Sequence, residues 1–570
     1  MRAPLWVFPP HNPHLVEEIV RALNISPVIA QLLISRGFST IPEIHEFLYS
    51  KLPQLYDPDL FPDMDVAVDR ILLAIEKGES ILIYGDNDVD GMTAAALLVE
   101  FLRLLKASVF FVIPKRAALQ TSMMEDALSC AQKRNCTLLI TVDCGITAAK
   151  EIEEVIAHGI DVIVTDHHEP TAKLPHCIAT LNPKLLNSTY PNRELTGVGV
   201  AFKLIHAIAN RWSEKEETHP FDLKSYLDLV ALGSIGDMAS LKGENRILVR
   251  YGLKQIQETK RVGLSKLLAL SHVKTQNLSP IDVASKITPR LNSLGRISDP
   301  AKGVELLLLK SEEEAQKLAN ELDINNLERQ KIERAAMDEV EMMVLESPEL
   351  VSQKAIVLAS KNWHPGIIAI LSARLAKQYN RPTLILAIED GIGKGSLRTV
   401  PEFPLLPILQ NNRELLLNFG GHDYAAGLLI REEKIPLFRK HFIAAAEKKL
   451  SDQDVIPKLH VDSKVHFRDL TFDFLESLQL LEPFGQENPP PILYSEAVQI
   501  RAPRVLKQYH LKFCLKESDR ILEGIGWGLA WRKEEFGKIG SLLRVAFTPH
   551  IHHFRGQATI QLTIRDVQLS

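Results

Sequence analysis

Short apolar runs and longer helix-patterned stretches alternate between residues 65 and 165. Runs at 81–84, 109–113, 138–142 and 160–164 are rich in β-branched and aromatic residues, as buried strands are. A helix near 65–77 precedes the first run, small apolar residues at 92–98 follow it, and 123–133 and 148–157 carry helical spacing. Strands alternating with helices predict a parallel sheet with helices on both faces. Residues 15–33 and 41–48 also read as helical, ahead of a Pro-rich connection at 52–64 to which no chemistry is assigned. Further on come an apolar helix at 227–235 and a charged helix from 311 to about 345. A second strand-and-helix region follows, with strands at 355–358 and 382–387. Short strands at 465–467, 492–500, 510–515, 522–527, 543–547 and 557–564 suit a small barrel, most of them after a Pro-rich boundary at 481–491. The fold class is thus α/β with a C-terminal β-barrel. The expected parts are a helical lead-in (1–55), a parallel-sheet domain (56–310), a connecting helix (311–347), a second α/β domain (348–452) and the barrel (453–570).

Composition narrows the setting. A chain of 570 residues is too long for one core, and 46% hydrophobic with 24% charged content is that of a globular protein. The start, MRAPLWVFPPHNPH, lacks the pattern of a signal peptide, and no uninterrupted apolar segment reaches membrane-spanning length. Five scattered cysteines without a C-x-x-C pair read as reduced thiols in the cytoplasm, not as disulfides or a zinc site. The net charge of −5 confines any nucleic-acid site to a local basic groove.

Candidate chemistry collects where the predicted strands end, the edge at which open α/β sheets bind ligands. After the first strand stands Asp86-Asn-Asp88-Val-Asp90-Gly91; after later ones come Asp143 in TVDCG and Asp166-His167-His168 in VTDHHEP. Three carboxylates at alternate positions repel one another unless a cation lies between them, and an oxygen-rich set suits Mg²⁺ or Mn²⁺. An EF-hand calcium loop opens the same way, but no Glu stands six residues after Gly91, and a buried strand leads in. Asp143 alone is equally a turn former or helix cap. Paired histidines are more often solvated than ligating, though these two face the other acids' edge. Gly197-Val-Gly199 opens an apolar helix and fits either close helix packing or a weak phosphate loop. Asp237, at the tip of the helix 227–235, is a candidate fourth contributor. In the second α/β region, glycines flank Ser396, Arg398 and His422, which favours an anion over core packing.

The motifs DNDVDG, TVDCG, VTDHHEP and SIGDMASL, in this order, resemble the four motifs of the DHH phosphoesterase superfamily. TGVGVAFKL, GENRILVRYGL, ITPRLNSLGR, KNWHPGIIAI, GKGSLRT and GGHDYAAG narrow the resemblance to the RecJ family of bacterial single-stranded-DNA exonucleases, over about 90% of the chain. The resemblance implies a DHH catalytic domain, a DHHA1 domain reached through the long helix, an OB-fold barrel, and an active site in the cleft between the first two. It implies two divalent ions, Mn²⁺ or Mg²⁺, on Asp86, Asp88, Asp90, Asp143, His167 and Asp237, with Asp143 between the ions. Asp143, Asp166 and His168 would be catalytic, His168 against the scissile phosphate. Arg290, Asn292 and Arg296, with His364, Ser396, Arg398 and His422, would hold the DNA backbone and its 5′ phosphate. The implied reaction runs 5′→3′ on single strands and releases 5′ mononucleotides, by a monomer serving recombination and repair with a helicase and a single-strand-binding protein. On the barrel, Arg501, Arg504, Lys507, Tyr509, His510 and Lys512 interleave cations and rings, as a single-strand site or a solvated face would. Two other functions fit a DHH core: a phosphodiesterase for oligonucleotides or cyclic dinucleotides, and an inactive nucleic-acid-binding relative.

Some positions depart from the family pattern. Asn87 replaces an aromatic residue, Gly236 and Leu397 stand where alanine is commoner, and residues 114–123 replace a Glu-Gly-Tyr-Gly-like loop, which bears on substrate length and processivity.

Overall fold

The computed structural model describes residues 3–115, 124–216, 221–535, 542–554 and 556–569. They form two compact units, Phe38–Asn326 with Leu478–Pro490, and Met1–Gly37 with Leu327–Ser477 and Pro491–Ser570.

In the first unit five parallel strands lie in the order Ser108–Val112, Ser80–Gly85, Cys136–Val142, Asp161–Thr165, Ala179–Leu181. Side chains alternate across the sheet. Ile81 and Ile83 join a core that includes the helices Met64–Lys77 and Val89–Leu104. Leu82 and Tyr84 join the core of Glu125–Arg134 and Ala149–Ala157 on the opposite face. Helices therefore cover both faces, as the alternating pattern predicts. The edge strand Ala179–Leu181 is not among the expected strands; three residues are too few to show a period. Val89–Leu104 is buried nearly all round, because Ala94, Ala95 and Ala96 let neighbouring helices close on it. Leu227–Gly236 is equally buried and ends at Asp237.

The next helix, Gly243–Gln257, carries Arg246, whose guanidinium is buried. It donates to the carbonyls of Phe47 (2.8 Å), Leu480 (3.1 Å), Leu481 (3.1 Å) and Glu482 (2.7 Å), and lies 3.8 Å over the Phe47 ring. Asn488 Nδ2 donates to the carbonyls of Leu481 and Pro483 at 2.8 Å, and Leu241 N to Gln486 O at 3.0 Å. These bonds seat the Pro-rich segment 478–490 on the first unit.

The second unit holds a mixed five-stranded sheet, ordered Leu416–Gly421, Ala425–Arg431, Ile392–Arg398, Thr383–Glu389, Ile356–Ser360. Ile435–Lys449 packs on one face and Ile368–Tyr379 on the other. Leu493–Leu506, His510–Glu517, Arg520–Gly526, Gln557–Leu569 and Leu542–Phe554 close into a barrel, since the first also pairs with the last. The helix Glu312–Glu346 gives Ala315, Ala319 and Leu322 to the first unit's core, and Ala336, Met337 and Val340 to one in the second.

Three local expectations change. The helical stretch 15–33 is two helices, Pro13–Leu23 and Pro27–Ser35. Asn24 ends the first in left-handed backbone (φ 52°), and the Ser26 hydroxyl caps the second on Ile29 N with Pro27 at its start. Leu5–Val7 is a strand, paired with Lys458–His460. The strand expected at 465–467 is only Ser463–Lys464, because Phe467 begins a 3₁₀ turn whose first N–H is held by the Glu517 carboxylate. Among the described residues no single helix is long and apolar enough to cross a membrane.

Candidate active site

Strand register builds the site. Gly85 pairs with Val142, and Val142 with Thr165. The residues one step beyond, Asp86, Asp143 and Asp166, extend the ladder: their N–H groups donate to Val142 O (3.3 Å), Thr165 O (3.0 Å) and Leu181 O (3.0 Å). Three acids thus stand in one row at the C-terminal edge. Asp143 takes a left-handed conformation (φ 60°), which Asp tolerates better than most residues and which occurs at functional sites.

Asp88 and Asp90 are held from the backbone. Asp88 caps Val89–Leu104, accepting from Asp90 N (2.9 Å) and Gly91 N (3.2 Å). A Cβ on Gly91 would lie 2.6 Å from Asp86 N, so the tight turn needs glycine there. Asp90, buried, accepts from Gly197 N (2.8 Å) and Val198 N (2.9 Å), the first residues of the helix Gly197–Glu216. That helix start favours an anion. Gly197 also passes so close to Asp143 that its own Cβ would lie 2.5 Å from Asp143 Oδ1. Gly197 therefore serves carboxylates of the protein itself, while Gly199 donates to Thr196 and packs on Leu195.

The acids and histidines converge. His167 Nε2 is 3.1 Å from Asp143 Oδ1 and 3.8 Å from both Asp90 Oδ2 and Asp237 Oδ2. Ligand atoms of Asp86, Asp88 and Asp143, of Asp90, His167 and Asp237, and of Asp143, His167 and His168 each lie within 4.8 Å of one another. Burial, reinforced by Asp237 and Asp88, pushes the Asp90 carboxyl well above the usual range, and burial with Asp90, Asp88 and Asp86 does the same to Asp143. Burial and Asp88 raise Asp237 to about 7. Burial and the neighbouring His168 lower His167 to about 3, so its ring is neutral. Asp143 Oδ1 and His167 Nε2 are buried and, among the described residues, without a hydrogen-bond partner. Clustered carboxyls that resist ionising, beside an orphaned oxygen and a neutral imidazole, fit hard divalent cations.

Asp166 has a different task. Its Oδ1 accepts from His167 N (2.7 Å), His168 N (3.0 Å) and His168 Nδ1 (2.8 Å), and its Oδ2 from Ile146 N (2.9 Å). Burial would raise its pKa, but the His168 hydrogen bond and charge outweigh it and hold the carboxyl low. Burial likewise opposes charge on His168, yet Asp166, with Asp86 and Asp237 behind it, raises that ring to about 9. Asp166 thus holds the His168 ring, which stands half-exposed at the cluster's rim. Asn182, which carries no sequence signal, donates to His168 O at 2.9 Å.

The anion-binding candidates divide. Asn292 Oδ1 accepts from Val89 N at 2.9 Å, supporting the aspartate turn. Arg290 Nε donates to Asp323 at 2.8 Å, and Arg296 is half-buried on the same helix, Thr288–Ile297. In the other unit Ser396 and Arg398 share the strand Ile392–Arg398, with Arg398 opposite Ala425. Ser396 Oγ lies 3.3 Å from Ser372 Oγ, while His422 and His364 are exposed. On the barrel Arg504, Lys507 and Tyr509 are exposed and Lys512 pairs with Glu523 at 2.7 Å. The Arg501 side chain and residues 116–123 of the divergent loop lie outside the described residues.

Family models match three stretches: the DHH family N-terminal domain over residues 80–234, the DHHA1 domain over 352–448 and the RecJ OB domain over 461–566. The single-stranded-DNA-specific exonuclease RecJ of Bacillus subtilis is 35% identical, covering 97% of this chain and 70% of its own length. RecJ of Escherichia coli is 30% identical over 95% of this chain and 96% of its own. The crystal structure of Thermus thermophilus RecJ in complex with Mn²⁺ superposes with a TM-score of 0.83 at 29% identity, over 99% of this chain and 79% of that one.

Proposed function

Since the chain belongs to the RecJ family of single-stranded-DNA-specific exonucleases, we propose that it hydrolyses the phosphodiesters of single-stranded DNA from the 5′ end, releasing 5′ mononucleotides. The observation that carries the reading is the gathering of Asp86, Asp88, Asp90, Asp143, His167 and Asp237 around two orphaned ligand atoms. These six would hold two divalent ions, Mn²⁺ or Mg²⁺. When bound, the ions supply charge for the phosphoryl oxygens and make a water acidic enough to attack, so no Ser or Cys nucleophile is needed.

The chain's own residues do the rest. Neutral His167 offers a lone pair to a cation. His168, charged and held by Asp166, donates a hydrogen bond to the scissile phosphate as charge builds there. Ser396, Arg398, His422 and His364 present donors for the terminal phosphate and backbone of the strand. Arg290 and Asn292 act through their neighbours, Asn292 by fixing the turn that carries Asp88 and Asp90. The setting we propose is cytoplasmic recombination and repair, by a monomer working beside a helicase and a single-strand-binding protein.

The test is an oligonucleotide labelled at either end, single-stranded or in duplex, and a dinucleotide, each incubated with Mn²⁺. A mononucleotide ladder receding from the 5′ end, on the free strand only, supports the reading. Cleavage of the dinucleotide alone would make this a small-substrate phosphodiesterase, and binding without cleavage an inactive relative.

A further inference from the structure

Asp237 ends the helix Leu227–Gly236, and the residue after it departs from the rule for such ends. Met238 N donates to Ile235 O (3.2 Å) and Ala239 N to Ser234 O (3.1 Å), the paired bonds of a Schellman turn. The residue at the centre of that turn has φ 59°, a position where glycine or asparagine is favoured. Here it is a methionine, 68% exposed. An apolar side chain thus stands in the open on left-handed backbone, one residue from Asp237.

Met238 does not stand alone. It forms one wall of an open groove of about 220 Å³ with Ile235, Leu241, Ile281, Ala284 and Phe484. Ile281 is 53% exposed. Ala284 lies in a π-helical turn, Val283–Ile287, of the kind that accompanies functional sites, immediately ahead of the helix Thr288–Ile297 that carries Asn292. Phe484 belongs to the segment that Arg246 seats on this unit. Two residues of the lining, Ile235 and Met238, flank Asp237 in the chain, and Gly236 between them packs against Val89 of the aspartate turn, where a Cβ would lie 2.8 Å away. Walls from three separate parts of the chain, two of them locally irregular, meet beside Asp237.

We propose that this groove seats a nucleobase of the strand being digested, the one on a nucleotide flanking the phosphate held at the acid cluster. This rests on the nuclease reading and adds a specific contact to it. The occupant follows from the groove's place one residue from Asp237 and from its lining. A cavity of this size suits one flat ring system, and apolar walls hold a base by its faces without reading its edges. Any of the four bases is then accepted, as a nuclease indifferent to sequence requires.

The test uses Met238→Gly, which removes the side chain while suiting the left-handed backbone, so the fold is kept. Single strands carry one abasic nucleotide at the first, second or third position from the 5′ end. The wild type should lose about tenfold in kcat/KM at one of these positions, the worth of one stacked base. Met238→Gly should show that loss on the intact strand, mainly through KM, and lose little more when the abasic site is added. Ala284→Leu, which fills the groove from the opposite wall, should behave alike. If both variants cut the intact strand with wild-type KM, or keep the full abasic penalty, the groove holds no base. A wild type that cuts no strand would instead remove the nuclease reading, and the seat with it.

Discussion

At the scale of the residue, the site is a problem of charge. Asp90, Asp143 and Asp237 all titrate above the ordinary carboxyl range, with Asp237 near 7, because burial and mutual repulsion oppose their ionisation. A group whose folded pKa is raised stabilises the fold below its unfolded pKa, and that contribution disappears as pH rises through the folded value. His168, raised to about 9, has the same sign. Metal-free protein in EDTA should therefore melt lower at pH 8 than at pH 6. Mn²⁺ should raise the melting temperature more at pH 8, where a cation replaces protons already lost. Equal melting temperatures at the two pH values would contradict the electrostatic reading. Asp143→Ala should abolish most of the Mn²⁺-induced rise and lower kcat/KM on a single strand by on the order of 10³-fold, since cation stabilisation of the reacting phosphate is worth several kcal/mol. A near-normal rate would remove Asp143 from the centre. Each of these acids alone reads equally as a turn former or cap, and what makes them visible in the sequence is that several follow strands at the one edge where open α/β sheets bind ligands. The task of Asp166 is not visible, since which atoms its oxygens accept from is set by the turn at residues 166–168 and the loop at Ile146.

At the scale of the element, the cluster depends on two helix starts and a row of strand ends. Alternating runs disclose the strands and their rim, but not the register that aligns Asp86, Asp143 and Asp166, because register is a long-range property. In sequence, Gly197 reads as either helix packing or a phosphate loop. The structure gives it a third use, a backbone N–H on Asp90 and no side chain against Asp143. Gly197→Ala should keep the fold, with far-ultraviolet circular dichroism unchanged, while displacing Asp143 and lowering kcat/KM about 10²-fold, the scale of loss for an ångström's misplacement. Val200→Ala, a side-chain trimming three residues along the same helix, controls for general loosening: an equal loss there would show that packing, not the approach to Asp143, sets the rate. The breaks that sequence patterning misses, at 24–27 and at Phe467, are caps and turns, where one side-chain hydrogen bond overrides a continuous hydrophobic pattern.

At the scale of the whole molecule, the chain leaves the first unit after Asn326, builds the second sheet, and returns through residues 478–490 before making the barrel. The return hangs on Arg246. Nothing in GENRILVRYGL marks one arginine as buried, because its partners are carbonyls 199 to 236 residues away. Arg246→Met would take this donor from the carbonyls of Phe47 and Leu480, while Asn488 still reaches Leu481 O and Arg250 still reaches Glu482 O; each bond so lost in an apolar setting costs about 1–3 kcal/mol. We expect a loss of about 3 kcal/mol in urea unfolding of the first unit, with faster amide exchange concentrated at 478–490. Lysine should rescue little, since a single ammonium cannot reach carbonyls fanned around a planar fork. If the groove beside Met238 seats a base, Arg246→Met should also raise KM for the strand, because Phe484 forms part of that wall. Protection at 478–490 unchanged from wild type would mean that Asn488 and the Leu241–Gln486 bond hold the return without the arginine.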